Sequence, residues 1–179
     1  MEQKVTFGSL AKYGVLLGLA LIILSLIKVY TGNFVEQDTS LVFMLLKAAA
    51  YVFFIYCAIR FAVKYLYATT YSFAKGVKVG LFLGLIAAVL MCVYQYIEMK
   101  FITPDLYQAQ IELAIEEMLD KGVPEEMGVT VRSMFSITVI ISAFVGAFLV
   151  SLLASLFIAP FFKKQQIINN EEVSSSDNQ

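Results

Sequence analysis

Four apolar stretches, each close to the length a helix needs to cross a bilayer, take up most of this 179-residue chain. A transmembrane helix requires about 20 predominantly apolar residues. Read on that scale, the spans lie at residues 13–30, 41–62, 77–99 and 134–159, the last long enough that tilt is expected. Composition agrees: 60% of the residues are hydrophobic, mean hydropathy is +0.79, and neither His nor Trp occurs. That balance lies outside the soluble globular range. The fold expected is all-α, an integral membrane four-helix bundle formed by residues 1–164 and followed by a polar tail at 165–179 too poor in apolar residues to pack a core.

Orientation is read from the flanks, because Lys and Arg concentrate in short cytoplasmic segments. Lys4 and Lys12 precede the first span; Arg60, Lys64, Lys75 and Lys78 lie between the second and third; Lys163 and Lys164 follow the fourth. The first external loop, TGNFVEQDTS, has no basic residue, and residues 101–133 carry only Lys121 and Arg132. Both termini are therefore expected in the cytoplasm, with the chain in a cytoplasmic (inner) membrane. The apolar run after Lys12 is long and no A-x-A-like cleavage site follows it, so it reads as a retained first span rather than a signal peptide. Tyr30, Tyr94 and Tyr96 near the outer ends, and Tyr13, Tyr65, Tyr67 and Tyr71 near the inner ones, are placed as interfacial anchors would be.

Glycines at positions 76, 80 and 84 in GVKVGLFLGL pose a question of chemistry. Neither the P-loop spacing nor the dinucleotide G-x-G-x-x-G is present, so a phosphate cradle is excluded. Residues four apart share one helix face, and small residues there let backbones approach where van der Waals packing is the main attraction between helices. Gly14 and Gly18 repeat the pattern on the first span; Ala143, Ala147, Ser151, Ser155 and Ala159 do so on the fourth. These stripes are expected to pack the bundle, with a homo-oligomer seam as the competing use.

Charge inside the membrane is the default pointer to a functional site. Lys47 falls ~10 Å from the outer end of the second span. Glu98, at the outer end of the third span, and Gln95, one turn deeper, are its candidate partners; snorkelling of Lys47 to the interface is the alternative. Cys57 and Cys92 sit in apolar surroundings at depths differing by ~10 Å, so no disulfide is expected between them.

Outside the membrane, Thr103 before Pro104 starts a helix over about 104–121, and Gly122 before Pro124 ends it. Tyr107, Ile111, Ala114, Ile115 and Met118 form its apolar stripe, expected to rest on the outer ends of the bundle. Glu112, Glu116 and Asp120 gather opposite, a solvated face or a surface for a basic partner, without the D-x-D-x-D-G spacing of a calcium loop. Glu125 and Glu126 suggest a second short helix before the fourth span.

The segments YSFAKGVKVGL (residues 71–81), QYIEMKFITPDLY (95–107), the acidic helix and a fourth span closing in FFKK, taken in order, resemble the bacterial membrane proteins of domain-of-unknown-function family 4199 across residues 10–164. The resemblance implies a four-helix inner-membrane protein and assigns no activity or site residue.

Three functions compete. A non-enzymatic accessory or scaffold protein, packing with itself or with a membrane partner, uses the small-residue stripes. A small transporter or channel would use Lys47, Gln95 and Glu98, although no span is broken by a mid-membrane proline. A membrane enzyme is the remote reading: with no His, no G-x-S-x-G and no H-E-x-x-H, its lone candidates are external carboxylates, Glu112, Glu116 and Asp120, without an orienting partner. No cofactor, metal or nucleic-acid partner is expected; the lipid bilayer is.

Overall fold

The computed structural model describes residues 8–31, 37–67, 71–122, 124 and 126–176, without the side chains of 37–40, 126 and 163–176. Lys4, Glu125 and residues 32–36 of the first external loop lie outside the described residues, as do the side chains of Lys163 and Lys164. Five α-helices follow in order: α1 (Gly8–Tyr30), α2 (Gln37–Tyr65), α3 (Phe73–Ile97), α4 (Pro104–Asp120) and α5 (Glu126–Ser176), with a π-helical turn, Glu98–Ile102, joining α3 to α4. Four of these helices are long and apolar enough to cross a membrane, and no strand occurs among the described residues.

Each spanning helix overshoots its apolar stretch, because Lys, Gln and Glu are good helix formers and carry the helix into the interface. The largest overshoot is α5, a single helix of 51 residues. The separate short helix expected after Pro124 is absent, since nothing in MGVTVRSM except Gly128 opposes continuation. A disordered tail is expected from residue 165, yet the backbone stays helical to Ser176, and residues 161–176 contain neither glycine nor proline. Pro160 sits inside α5, where its ring removes one backbone donor to the preceding turn.

α3 is the centre of the bundle, packed against α5, α1 and α2, while α2 closes the other side against α1 and α5. The small-residue stripes set the register of both α3 seams. A Cβ added at Gly14 would lie 3.0 Å from the Ile86 Cβ, and one at Gly18 would lie 2.6 Å from Leu90 Cδ1, so large side chains of α3 enter the bare face of α1. On the opposite face of α3 the partners are small on both sides. Gly76 meets Ala159, Gly80 meets Ser155 and Gly84 meets Ser151, each step of four up α3 matched by a step of four down α5. Carried further, the register sets Ala88 opposite Ala147 and Cys92 opposite Ala143. Cys92 accordingly donates through Sγ to the Ile140 carbonyl of α5 at 3.7 Å.

Gly76 has a second role. Any side chain there would collide with the Tyr71 hydroxyl, which donates a 3.0 Å hydrogen bond to the Ala159 carbonyl and ties the start of α3 to α5. Tyr71 is therefore buried rather than an interfacial anchor. Other aromatic residues at this end meet lysines: Lys12 lies over the rings of Tyr13 and Phe61, Lys64 over Tyr65 and Lys75 over Tyr67, at 4.9 to 5.2 Å. Cys57 and Cys92 are both free thiols.

At the other end Gly122 ends α4 with φ +79°, a backbone state that favours glycine. The α4 stripe faces inward: Ile111 is buried, Tyr107, Ala114, Ile115 and Met118 are half-buried, and Ile115 packs over Gly128 of α5.

Candidate functional site

Polar residues inside the membrane-spanning region converge near the end of the bundle where α3 gives way to the π turn. The extra residue of that turn is visible in the backbone bond from the Thr103 N–H to the Glu98 carbonyl, 2.9 Å across five residues. It turns Glu98 inward, leaving the side chain 5% exposed, next to Tyr94, also 5% exposed. The hydroxyls of Tyr94 and Thr103 are sealed from solvent with no hydrogen-bond partner. Tyr94 is thus part of the cluster, unlike Tyr30 and Tyr96, which stay exposed.

One turn below Glu98, the Gln95 amide donates from Nε2 to the Tyr107 hydroxyl, joining α3 to α4. Burial, with a contribution from the Glu98 charge, pushes the Tyr107 hydroxyl up to about 12, so it keeps its proton at any physiological pH. Gln95 and Lys47 line one cavity of about 360 Å³ bounded by α1, α2, α3 and α5. Glu98 lies within electrostatic range of Lys47 and of Lys28, yet Lys47 makes no ion pair within 4.0 Å among the described residues.

The three residues read from sequence as a polar cluster therefore occupy one neighbourhood. Lys47 and Gln95 share the cavity, and Glu98, buried like Tyr94, lies within electrostatic range of Lys47. Sequence reasoning missed Tyr94, Tyr107 and Lys28. A carboxylate four residues after a tyrosine on the same helix was a signal for the first, since such residues share a face; nothing in the sequence announced the π turn.

Ala143 and Ala147 also border the cavity, so their small size makes room as well as contact. Ser151 and Ser155 are fully buried in the α3–α5 seam; Ser155 donates to the Leu152 carbonyl at 2.8 Å, while Ser151 Oγ has no partner. The acidic face of α4 is separate. Glu112, Glu116 and Asp120 are exposed and make no ion pair among the described residues, where Glu117 is joined to Lys121 at 3.9 Å. Among the described residues, no three His, Cys, Asp or Glu side chains gather as metal ligands.

Comparison with known families gives one match: the family described as protein of unknown function (DUF4199) matches residues 12–164. No curated protein and no solved structure matches.

Proposed function

We propose that this chain, which belongs to the DUF4199 family of proteins of unknown function, is a non-enzymatic accessory protein of the cytoplasmic membrane, both termini inside, that engages a membrane partner through α4. The observation that carries this reading is the way α4 is held. Its apolar stripe and the Gln95–Tyr107 bond fix it on the bundle, and its acidic face remains exposed and without ion pairs. Successive carboxylates on one face repel one another, so a basic surface laid across them relieves that repulsion. The glycine stripes of α1 and α3 are filled from within the chain, which favours a partner outside the bundle seams over a homo-oligomer built on them. A non-enzymatic role fits the polar groups available: Glu98 is enclosed, and Glu112, Glu116 and Asp120 have no ion-pair partner among the described residues.

The test is capture of the full chain from native membranes in mild detergent, beside a variant carrying Glu112→Gln, Glu116→Gln and Asp120→Asn. A stoichiometric membrane protein with a basic outer segment, lost from the variant, is expected; equal recovery with both forms would sink the reading.

A small transporter is the second reading, favoured by the Lys47 and Gln95 cavity inside the bundle. Flux in proteoliposomes that disappears in a folded Lys47→Met variant would support it, and wild-type flux in that variant would count against it.

A further inference from the structure

The cavity that Lys47 and Gln95 line is open toward the surroundings of the bundle on the α2–α5 side. Its floor is buried: Leu21 of α1, Tyr51 of α2 and Ala147 of α5 are each less than 10% exposed. Its rim is not, with Met44 at 61% and Val150 at 39% exposure. Between floor and rim, Gly146 leaves the wall bare, since a Cβ built there meets nothing within 4 Å. For spanning helices those surroundings are lipid, so the opening admits molecules already dissolved in the bilayer.

We propose that this cleft binds a single-chain anionic amphiphile, its carboxylate against Lys47 and Gln95 and its chain running out between α2 and α5. Three features select that chemistry. Two side chains of the lining can donate to the head: the Lys47 ammonium, which makes no ion pair within 4.0 Å among the described residues, and the Gln95 amide, which keeps a second N–H beyond the one given to Tyr107. A carboxylate accepts from both. The rest of the lining is apolar or aromatic, suited to methylenes. The volume of about 360 Å³ lies in the small-molecule range and matches a head with the first part of one chain.

Glu98, the carboxylate within electrostatic range of Lys47, is the competing intramolecular partner, but among the described residues it makes no ion pair with Lys47 within 4.0 Å. The inference goes beyond the accessory reading and does not require transport.

The full chain in nanodiscs of zwitterionic lipid is photolabelled with a diazirine-bearing palmitate and, separately, with the corresponding neutral alcohol, and the labelled residues are mapped by mass spectrometry. Palmitate labelling is expected on α2 near Met44 and Tyr51 and on α5 between Ala143 and Val150, displaced by excess oleate but not by phosphatidylglycerol. Lys47→Met should weaken it about tenfold while Lys47→Arg retains it. Gly146→Leu, which fills open space, should block labelling with the melting temperature preserved, and so decides the matter if Lys47→Met fails to fold. Equal labelling by the alcohol, undiminished labelling of Gly146→Leu, or displacement by phosphatidylglycerol alone would overturn the proposal.

Discussion

Gly80→Ala and Gly146→Ala make the same chemical change in two spanning helices and should move stability in opposite directions. At Gly80 the new Cβ would fall onto the Ser155 Cβ and lie 2.9 Å from its Oγ. Ser155 is fully buried and its Cβ is fixed to the α5 backbone, so the atom cannot swing aside. The helices must part by about 1 Å to restore ordinary contact, a gap that forfeits a quarter to a half of each contact's dispersion energy. Overpacking of this kind costs about 1–3 kcal/mol. Alanine returns about 1 kcal/mol through helix propensity, leaving Gly80→Ala about 0–2 kcal/mol less stable than the parent and about 1–3 kcal/mol below Gly146→Ala. At Gly146 nothing lies within 4 Å, so only the propensity gain remains. Adding Gly84→Ala to Gly80→Ala should cost less than twice the single change, because helices parted at one position are already parted one turn away. The assay is thermal unfolding in detergent followed by a thiol-reactive dye. In a Cys57→Ala background, Cys92, hydrogen-bonded across the α3–α5 seam, is the reporter. A Gly80→Ala protein as stable as Gly146→Ala would refute the register.

Tyr71→Phe removes the bond to the Ala159 carbonyl and should cost about 0.5–1.5 kcal/mol in the same assay. Gln95→Leu breaks the tie between α3 and α4 and should speed proteolysis within α4 without lowering the unfolding midpoint of the spans. The Tyr107 hydroxyl, raised from 10.0 to about 12, favours the docked form while protonated; the undocked phenol ionises first, so protection of α4 should fall as pH rises from 10 toward about 12. For orientation, a single cysteine at Lys121→Cys should react with a membrane-impermeant maleimide in intact cells, and one at Gln179→Cys only after permeabilisation.

The spans and α4 were legible because each rests on a one-dimensional signal, apolar length or a 3.6-residue period. So was the presence of small-residue stripes. Their pairing was not, since the sequence carries no information on which stripe meets which; Gly14 and Gly18 receive Ile86 and Leu90, whereas Gly76, Gly80 and Gly84 meet small residues. Tyr71 and Tyr94 were misplaced as anchors for a related reason. Depth along the helix is readable, but direction around it depends on neighbours: both residues are buried, and Tyr71 turns to the Ala159 carbonyl, a group that only the folded bundle supplies. The polar cluster was half legible: depth alone brought Lys47, Gln95 and Glu98 together, while Tyr107 and the enclosure of Glu98 follow from a π turn with no sequence signature. The α2–α5 cleft was invisible, being the space left where Gly146, Ala143 and Ala147 fail to fill a seam.

The claim on which the rest depends is that the small-residue stripes are consumed within one chain. Cysteines at Gly14→Cys and Ile86→Cys, in a Cys57→Ala and Cys92→Ala background, test it directly, since the Cβ positions lie 3.0 Å apart and need only a small adjustment to disulfide spacing. Mild oxidation in native membranes should produce a crosslink at monomer mass, independent of expression level. A crosslink at dimer mass would instead place the α1 stripe between chains and contradict the bundle described here.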